Sequence, residues 1–539
     1  MKKGTKITLI VLAVFLAISA IVFLGADVAV SHLVKQQVNK SLAALPEGEA
    51  SCGAIHVRLF SGTADVNDIR FAYHGAPISP RDTTGPGASI YIEKIAIGRI
   101  FYSLLFKKEV RIHDIRIIHP QVELWMDEEH PELCFPTFPK DTTMEKATFP
   151  LKSVGLMHFY LKDASFALHS VRTKLDVDVE QCSLAVNDLA YDSTFHYCDS
   201  VYAFSLAHAK VLFPDGRMCM ETHDISHKNQ GALTLGATRI ANTMPKKRLG
   251  DIVKEPVTWM DMRLERVELS PLNPIRKALA QDLTLDRIEA VVERMEVFRD
   301  ERFKPKTPFP MPQQLMMEMP FVFLVRHADA QINAIHIEFA STETNIGKLD
   351  LADLHAGIDN ITNRKGATMC ASGSGPMGEG KADASFKMTM NKACEFGLQL
   401  QVTNANADLL NPFVRPLVGM TAECVIDTLN ADYTGNINQA EGTFRMLYHG
   451  LQIQVHKGDD IPYKIITKNA NTFTTLGNTL IPKSNPTAVD IRPRAYQVTW
   501  KHDEWKPFPL YLFGPCIDGV KKTFLPGLYV HLQVNSKKQ

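Results

Sequence analysis

Residues 109–124 read EVRIHDIRIIHPQVEL, and this stretch alternates apolar and polar side chains as a strand with one covered face does. Its apolar residues Val110, Ile112, Ile115 and Ile117 follow the spacing i, i+2, i+5, i+7. A helix would scatter these positions around its axis, whereas a strand places them on one face if a β-bulge or kink separates the two pairs. The stretch therefore predicts a β-strand with a phase slip near its middle.

The same spacing recurs in three other parts of the chain. The matching positions are Ala64, Val66, Ile69 and Phe71; Val177, Val179, Cys182 and Leu184; and Met262, Leu264, Val267 and Leu269. Strands of this kind, each with one apolar face, can stack into a groove. The sequence thus predicts a mainly β fold: an elongated, repetitive antiparallel β-groove, or half-pipe, with a few short helices.

Helices and chain breaks are marked by proline and glycine. Helices are predicted over Asp27–Leu45 and near Pro274–Leu283, Pro412–Met420 and Pro515–Phe524, several of them with proline at the first helical position. Breaks are predicted at Ala76–Gly87, Pro131–Pro150 and Lys304–Pro320. A weak repeat, Leu272-Asn273-Pro274 and Leu410-Asn411-Pro412, leaves open a duplicated strand–helix–strand unit.

The N-terminus carries the signature of a membrane anchor. Lys2, Lys3 and Lys6 precede an apolar run from Ile7 to Leu24, which as a helix would span about 27 Å. Lysines before the run predict a cytoplasmic N-terminus and a body on the far side of the membrane. A cleaved signal peptide is the alternative, although its apolar core is usually shorter. The anchor's predicted apolar residues include Ile7, Leu12, Phe15, Leu16, Ile21 and Leu24.

Composition gives no sign of nucleic-acid binding or of disorder. The 539 residues include 59 Lys plus Arg and 59 Asp plus Glu, so the chain lacks the net positive field of nucleic-acid-binding proteins. Its nine cysteines contain no C-x-x-C pair, which disfavours a zinc site and favours small apolar core positions, with one or two disulfides left open.

No catalytic, cofactor or metal site is predicted. The stretch Gly373–Gly378 fits G-x-G-x-x-G, but Pro376 removes an N–H and the following residues alternate as a strand, which favours a glycine-rich turn. The group Asp127-Glu128-Glu129-His130 could hold a metal, yet its place beside a proline favours a solvated turn. An enzyme with residues dispersed among loops remains an alternative class without a supporting motif.

Three regions of the chain carry a recognisable pattern. The first is the anchor followed by Leu59–Phe71, and the second is Leu104–Val122. The third, Gly380–His456, contains Asp408-Leu409-Leu410-Asn411-Pro412, then Leu429–Tyr433, then Ala440–Leu451. Together these regions resemble the AsmA-like family, which is distantly related to the chorein-type bridge lipid-transfer proteins.

The resemblance implies a single-pass protein of a Gram-negative inner membrane. Its periplasmic β-groove would have an apolar floor and would pass glycerophospholipids toward the outer membrane, without a catalytic residue. Membrane, phospholipid and envelope proteins are the expected partners. The candidate lining residues are Val110, Ile112, Ile115, Ile117, Val122 and Leu124. A scaffold for assembling outer-membrane proteins or envelope polymers, with the same strands as a closed core, is the alternative.

The C-terminal segment is rich in aromatic residues. Trp505, Phe508, Tyr511, Phe513 and Phe524 crowd together, and they predict either a cap on the β body or a docking surface for a membrane or protein partner. The predicted divisions of the chain are an anchor (1–25), a juxtamembrane helix (26–45), an N-terminal β region (46–150), a middle β region (151–310), a C-terminal module (311–480) and the cap or docking segment (481–539).

Overall fold

The computed structural model describes residues 27–36, 48–75, 85–100, 109–127, 129–134, 153–191, 195–228, 231–270, 283–319, 321–457, 468–488, 491 and 493–525. Strands dominate this part of the chain, which confirms the mainly β prediction. The chain divides into two compact units, Met1–Gly236 and Ala237–Gln539. The predicted division between residues 310 and 311 lies inside the second unit.

The first unit is built on one sheet. Strands β1 and β2 both pair with β3, strands β3 to β9 follow one another in chain order, and β10 pairs with β9. The strands are β1 (Gly48–Ser51), β2 (Ile55–Arg58), β3 (Thr63–His74), β4 (Gly87–Ile97), β5 (Glu109–Met126), β6 (Ser153–Ser170), β7 (Asp176–Tyr191), β8 (Phe195–Leu212), β9 (Met218–Lys228) and β10 (Leu233–Leu235).

The second unit repeats this plan, with strands β11 to β21 paired in chain order. The strands are β11 (Thr238–Asn242), β12 (Val257–Ser270), β13 (Leu283–Asp300), β14 (Phe323–Ala340), β15 (Ile346–Thr362), β16 (Thr368–Met377), β17 (Gly380–Thr389), β18 (Phe396–Asn406), β19 (Met420–Gly435), β20 (Gln439–Val455) and β21 (Ala495–Lys501).

The described strands are mainly antiparallel, as predicted, but each unit also contains a parallel pair that the sequence did not indicate. Strand β5 lies parallel to β6, and β13 lies parallel to β14. A chain that leaves one end of a strand must return to its starting end before a parallel neighbour begins, so the connection must be long. The connections, residues 127–152 and 301–322, contain two of the proline-rich breaks found in the sequence.

The parallel crossover of the second unit is held by a buried ion pair. The Arg302 guanidinium donates to both carboxylate oxygens of Asp300, at 2.9 and 2.7 Å, and it also pairs with Asp251 and Glu343. Asp300 is fully buried, and the hydrogen bond to its carboxylate raises the pKa of the Arg302 guanidinium. These contacts fix the end of β13 against neighbouring segments where the crossover begins.

The helices in the described part of the chain are short and lie mainly in the second unit. Helix α1 covers residues 27–36, and the others are α2 (Lys246–Val253), α3 (Pro312–Met317), α4 (Asn411–Val418), α5 (Ala470–Leu480), α6 (Phe508–Leu512) and α7 (Gly514–Phe524), with 3-10 turns at Pro131–Cys134 and Ala407–Leu410. The predicted helices near Pro412 and Pro515 are confirmed as α4 and α7.

The remaining helix predictions are met only in part. Helix α1 confirms the start of the predicted Asp27–Leu45 helix, whereas residues 271–282 and the anchor run Ile7–Leu24 lie outside the described residues. No described helix is both long enough and apolar enough to cross a membrane. Helices α2, α3, α5 and α6 were missed, because one to three turns give too little periodicity to detect.

A line of residues in the left-handed backbone conformation crosses the first unit, and we call this line the crease. On β3, β5, β6, β7 and β9 it comprises Asp68, His119, Asp163, Gln181 and Asp224, whose φ angles lie between 46° and 53°. The strand registers place these residues at one level of the sheet. A left-handed residue reverses the alternation of side chains, so the apolar positions before and after it stay on one face.

The crease explains the phase slip in the sequence. Left-handed Asp68 and Gln181 stand between the two apolar pairs on β3 and β7, and the β12–β13 ladder shifts beside Leu264. On β5 the left-handed residue is His119, and the pairing with β6 keeps the same register on both sides of His113, where the slip was predicted. In the second unit, Asp353 and Asn404 are left-handed in the same way.

Candidate functional site

Apolar side chains of the first unit form continuous rows across its strands, because the registers bring equivalent positions side by side. Three of these rows cross β3 to β8, and we call the face that carries them the apolar face. They are Val66, Ile95, Ile117, Leu161, Leu184 and Phe204; Phe71, Ile90, Val122, Phe166, Val179 and Ala209; and Tyr73, Ala88, Leu124, Leu168, Val177 and Val211.

Four of the six predicted lining residues stand in apolar cross-strand positions of this kind. Ile117, Val122 and Leu124 each stand in one of the three rows, and Ile115 begins a further contact pair with Phe159. All six predicted residues, including Val110 and Ile112, are half-buried, whereas Arg111, Arg116, Gln121 and Glu123 between them are exposed. Strand β5 therefore has the amphipathic character that its sequence predicts.

The apolar face of the first unit is open in the described part of the chain. Apart from buried Ala88 and Ala209, every side chain of the three rows is half-buried rather than buried. All described strands of the unit belong to one sheet, and the 3-10 turn Pro131–Cys134 packs mainly on β4 and β5. Fully burying a Leu, Ile or Phe side chain stabilises by about 1.5–3 kcal/mol, so further apolar contact with these rows would be favourable in free energy.

The C-terminal end of the second unit has a closed core instead. Tyr433, Phe444 and Tyr448 are at most 1% exposed, and helices α6 and α7 pack over them. The Tyr433 hydroxyl donates to the Leu512 carbonyl oxygen at 2.5 Å, and the Tyr511 hydroxyl donates to that of Asn436 at 2.7 Å. Burial raises the pKa of Tyr511 to about 12.

The structure divides the five candidate docking residues between core and surface. Phe508, Tyr511 and Phe524 pack into the closed core, with the Tyr511 ring edge-on to Phe396 and the Phe524 ring edge-on to Tyr448. Trp505 and Phe513 are each 47% exposed. The segment thus acts as a cap through three of these residues and leaves two at the surface.

A concavity lies on the polar face of the second unit's sheet, opposite the face that carries the closed core. Its volume is about 1170 Å³, and polar side chains of β12 to β19 line it, among them Arg287, Asp329, Ser372, Ser385 and Asp432. This hollow is distinct from the predicted apolar groove, whose candidate lining residues lie on β5 of the first unit.

The motifs that resemble known sites have structural roles. Gly373–Met377 belongs to β16, and only Gly378, with a φ of 67°, lies in the tight turn to β17, so the predicted glycine-rich turn is confirmed only at its end. Asp127 is fully buried rather than solvated. Burial opposes its ionisation, but its hydrogen bonds from Arg172 and from the N–H groups of Glu129 and His130 outweigh burial and lower its pKa.

One group of potential ligands was missed in the sequence. His208, Glu221 and His223 come together on β8 and β9, although their spacing in the sequence matches no metal-binding motif. Only the register of β8 and β9, which places His208 opposite His223, reveals this group. No family model matches the chain, and comparison with curated proteins and with solved structures finds no significant match either.

Proposed function

We propose that this chain is a membrane-anchored protein of the bacterial envelope that binds glycerophospholipids on the apolar face of its first unit and conducts them toward the outer membrane. The observation that carries the proposal is the set of half-buried apolar rows across β3 to β8. Acyl chains on these rows would complete the burial of side chains such as Ile117 and Val122, while head groups stay in water.

The dimensions of the face suit a lipid. Six neighbouring strands spaced at about 4.8 Å make each row about 24 Å long, which exceeds the roughly 15 Å of half a bilayer's hydrocarbon core. The apolar run Ile7–Leu24 would hold the unit at the membrane that supplies the lipid. The resemblance of Leu59–Phe71 and Leu104–Val122 to the AsmA-like family supports the same assignment.

The decisive experiment compares two neighbouring positions on β5. Val122 stands in an apolar row and is half-buried, whereas Gln121 is exposed. The full-length chain would be purified in detergent as wild type, Val122→Lys and Gln121→Lys, and its co-purified phospholipid measured by mass spectrometry. We expect phospholipid with the wild type and Gln121→Lys and a several-fold loss in Val122→Lys, since a charge at that position repels acyl chains.

Each other outcome counts against the proposal. Wild type without phospholipid, or equal amounts in both variants, would remove the lipid assignment. If Val122→Lys unfolds while Gln121→Lys does not, the rows are ordinary core. A scaffold role, which the closed core of the second unit favours, would then be the better assignment.

A further inference from the structure

A compact group of imidazoles and carboxylates lies on the polar face of the first unit. Strand pairing places Glu180 of β7, His208 of β8 and His223 of β9 in one row, and Glu221 stands two residues before His223 on the same face. No other part of the proposed lipid-binding function uses these side chains.

The distances within the group are short. His208 Nε2 lies 3.0 Å from Glu221 Oε1, and His223 Nε2 lies 4.0 Å from the same oxygen. The two imidazole rings stack with centroids 4.8 Å apart and planes inclined by 25°. The three potential ligand atoms all lie within 4.8 Å of one another.

We propose that His208, Glu221 and His223 bind a divalent transition-metal ion of the zinc class. Two imidazole nitrogens and one carboxylate oxygen are a ligand set that Zn²⁺ favours, with a water molecule completing a tetrahedron. Metal–ligand bonds of about 2.0–2.2 Å place tetrahedral ligands roughly 3.4 Å apart, so small side-chain rotations suffice to close the site. Mg²⁺ and Ca²⁺ prefer all-oxygen sites and should bind poorly.

Glu180 lies close enough to His208 that a small side-chain rotation would let its carboxylate accept a hydrogen bond from the ring. Its Oε2 atom lies 3.8 Å from His208 Nδ1, the ring nitrogen that faces away from Glu221. A carboxylate that accepts the Nδ1 proton fixes the tautomer whose Nε2 lone pair points at the metal. Glu180 and Glu221 also bring two negative charges to the group, while Lys210, which lies opposite Glu221 in the β8–β9 register, brings a positive charge.

A second histidine distinguishes this group from the other histidine–carboxylate pairs of the sheet. His336 is also flanked by two carboxylates, with Nδ1 2.6 Å from Asp350 and Nε2 3.5 Å from Glu338. Within the described part of the chain, however, His336 belongs to no group of three residues whose ligand atoms all lie within 4.8 Å of one another. His336 is therefore the matched control.

The test is calorimetric titration of the full-length chain in detergent with Zn²⁺, and with Mg²⁺ as comparison. We expect saturable one-to-one binding of Zn²⁺ that is more than about tenfold weaker in His208→Ala and His223→Ala, and unchanged in His336→Ala. Glu180→Gln should weaken binding by about 10–100-fold. His223→Cys should retain binding, because a thiolate is also a zinc ligand.

The ligand swap separates a metal site from a merely structural effect. His223→Ala and His223→Cys perturb packing alike, yet only the latter supplies a ligand atom. Zn²⁺ affinity equal in the wild type and all variants, or no preference for Zn²⁺ over Mg²⁺, would overturn the proposal. Loss of binding in both His223 variants would also overturn it. None of these outcomes bears on co-purified phospholipid.

Discussion

His119 joins the crease of the first unit to two carboxylates on neighbouring strands. Its Nδ1 atom pairs with Glu93, and its Nε2 atom lies 3.5 Å from Asp163. The hydrogen bond with Glu93 is the main cause that raises the pKa of His119, against an opposing effect of burial. The charged imidazolium therefore stabilises the folded chain.

The raised pKa of His119 makes its contribution to the stability of the folded chain decrease as pH rises. Since the folded pKa exceeds the unfolded value of about 6.5, the stabilisation is fully present below that value and is lost as pH rises through the folded pKa. We expect His119→Asn to reduce the drop in melting temperature between acidic and mildly alkaline pH, and Glu93→Gln to do the same. Asparagine tolerates the left-handed backbone. An unchanged drop in both variants would contradict this role.

Gln181 adopts the left-handed conformation at a φ of 52° without the local advantage of Asn or Asp. Glycine there should be neutral or stabilising by up to about 1 kcal/mol, because relief of left-handed strain offsets its larger unfolded-state entropy. Gln181→Val should destabilise by more than about 1 kcal/mol, since a β-branched residue resists this conformation. Urea unfolding measures both, with Asp178→Val on the same strand as control. Equal stability of the Gly and Val variants would show that the crease is not required at this position.

At the scale of elements, the Arg302–Asp300 pair fixes the start of the parallel crossover. Arg302→Leu leaves the fully buried Asp300 carboxylate without its guanidinium, and we expect a loss of about 3–5 kcal/mol in unfolding free energy. Arg326→Leu is the control, because its pair with Asp286 is exposed and should contribute at most about 1 kcal/mol. Similar urea midpoints for the two variants would show that the buried pair does not stabilise the crossover.

The fit of helix α7 against β20 depends on one glycine. A Cβ on Gly519 would lie 2.1 Å from the Phe444 ring, so Gly519→Ala should destabilise the second unit by about 1–3 kcal/mol. Gly477→Ala in α5 is the matched control, because its nearest neighbour would be at 3.9 Å. That change should stabilise by up to about 1 kcal/mol through helix propensity. Thermal melting compares the two variants, and changes in melting temperature of the same sign would contradict the close packing of α7.

At the scale of the whole molecule, the C-terminal segment closes the core of the second unit. Deletion of residues 505–539 removes Phe508, Tyr511 and Phe524 from contact with that core. We expect hydrogen exchange to accelerate in β19 to β21 and the melting temperature to fall, since buried tyrosines and phenylalanines become exposed to water. Unchanged exchange with loss of membrane or partner association would instead assign the segment to docking through Trp505 and Phe513.

Much of the fold could be predicted from local patterns. The alternation in residues 109–124 predicted an amphipathic strand, and the i, i+2, i+5, i+7 spacing predicted a phase slip that Asp68 and Gln181 produce. Proline and glycine placed α4, α7 and the β16–β17 turn. These features are encoded within a few neighbouring residues, where backbone conformation and side-chain direction are coupled.

What only the tertiary structure decided concerns contacts between distant residues. Alternation marks which face of a strand is apolar, but not its neighbour, its direction or what covers it. The sequence therefore determined an amphipathic, kinked β chain that ends in a short helix. The long-range registers decided the parallel pairs, the open face of the first unit, the closed core of the second, and the meeting of His208 with His223, because cross-strand pairing depends on the whole sheet.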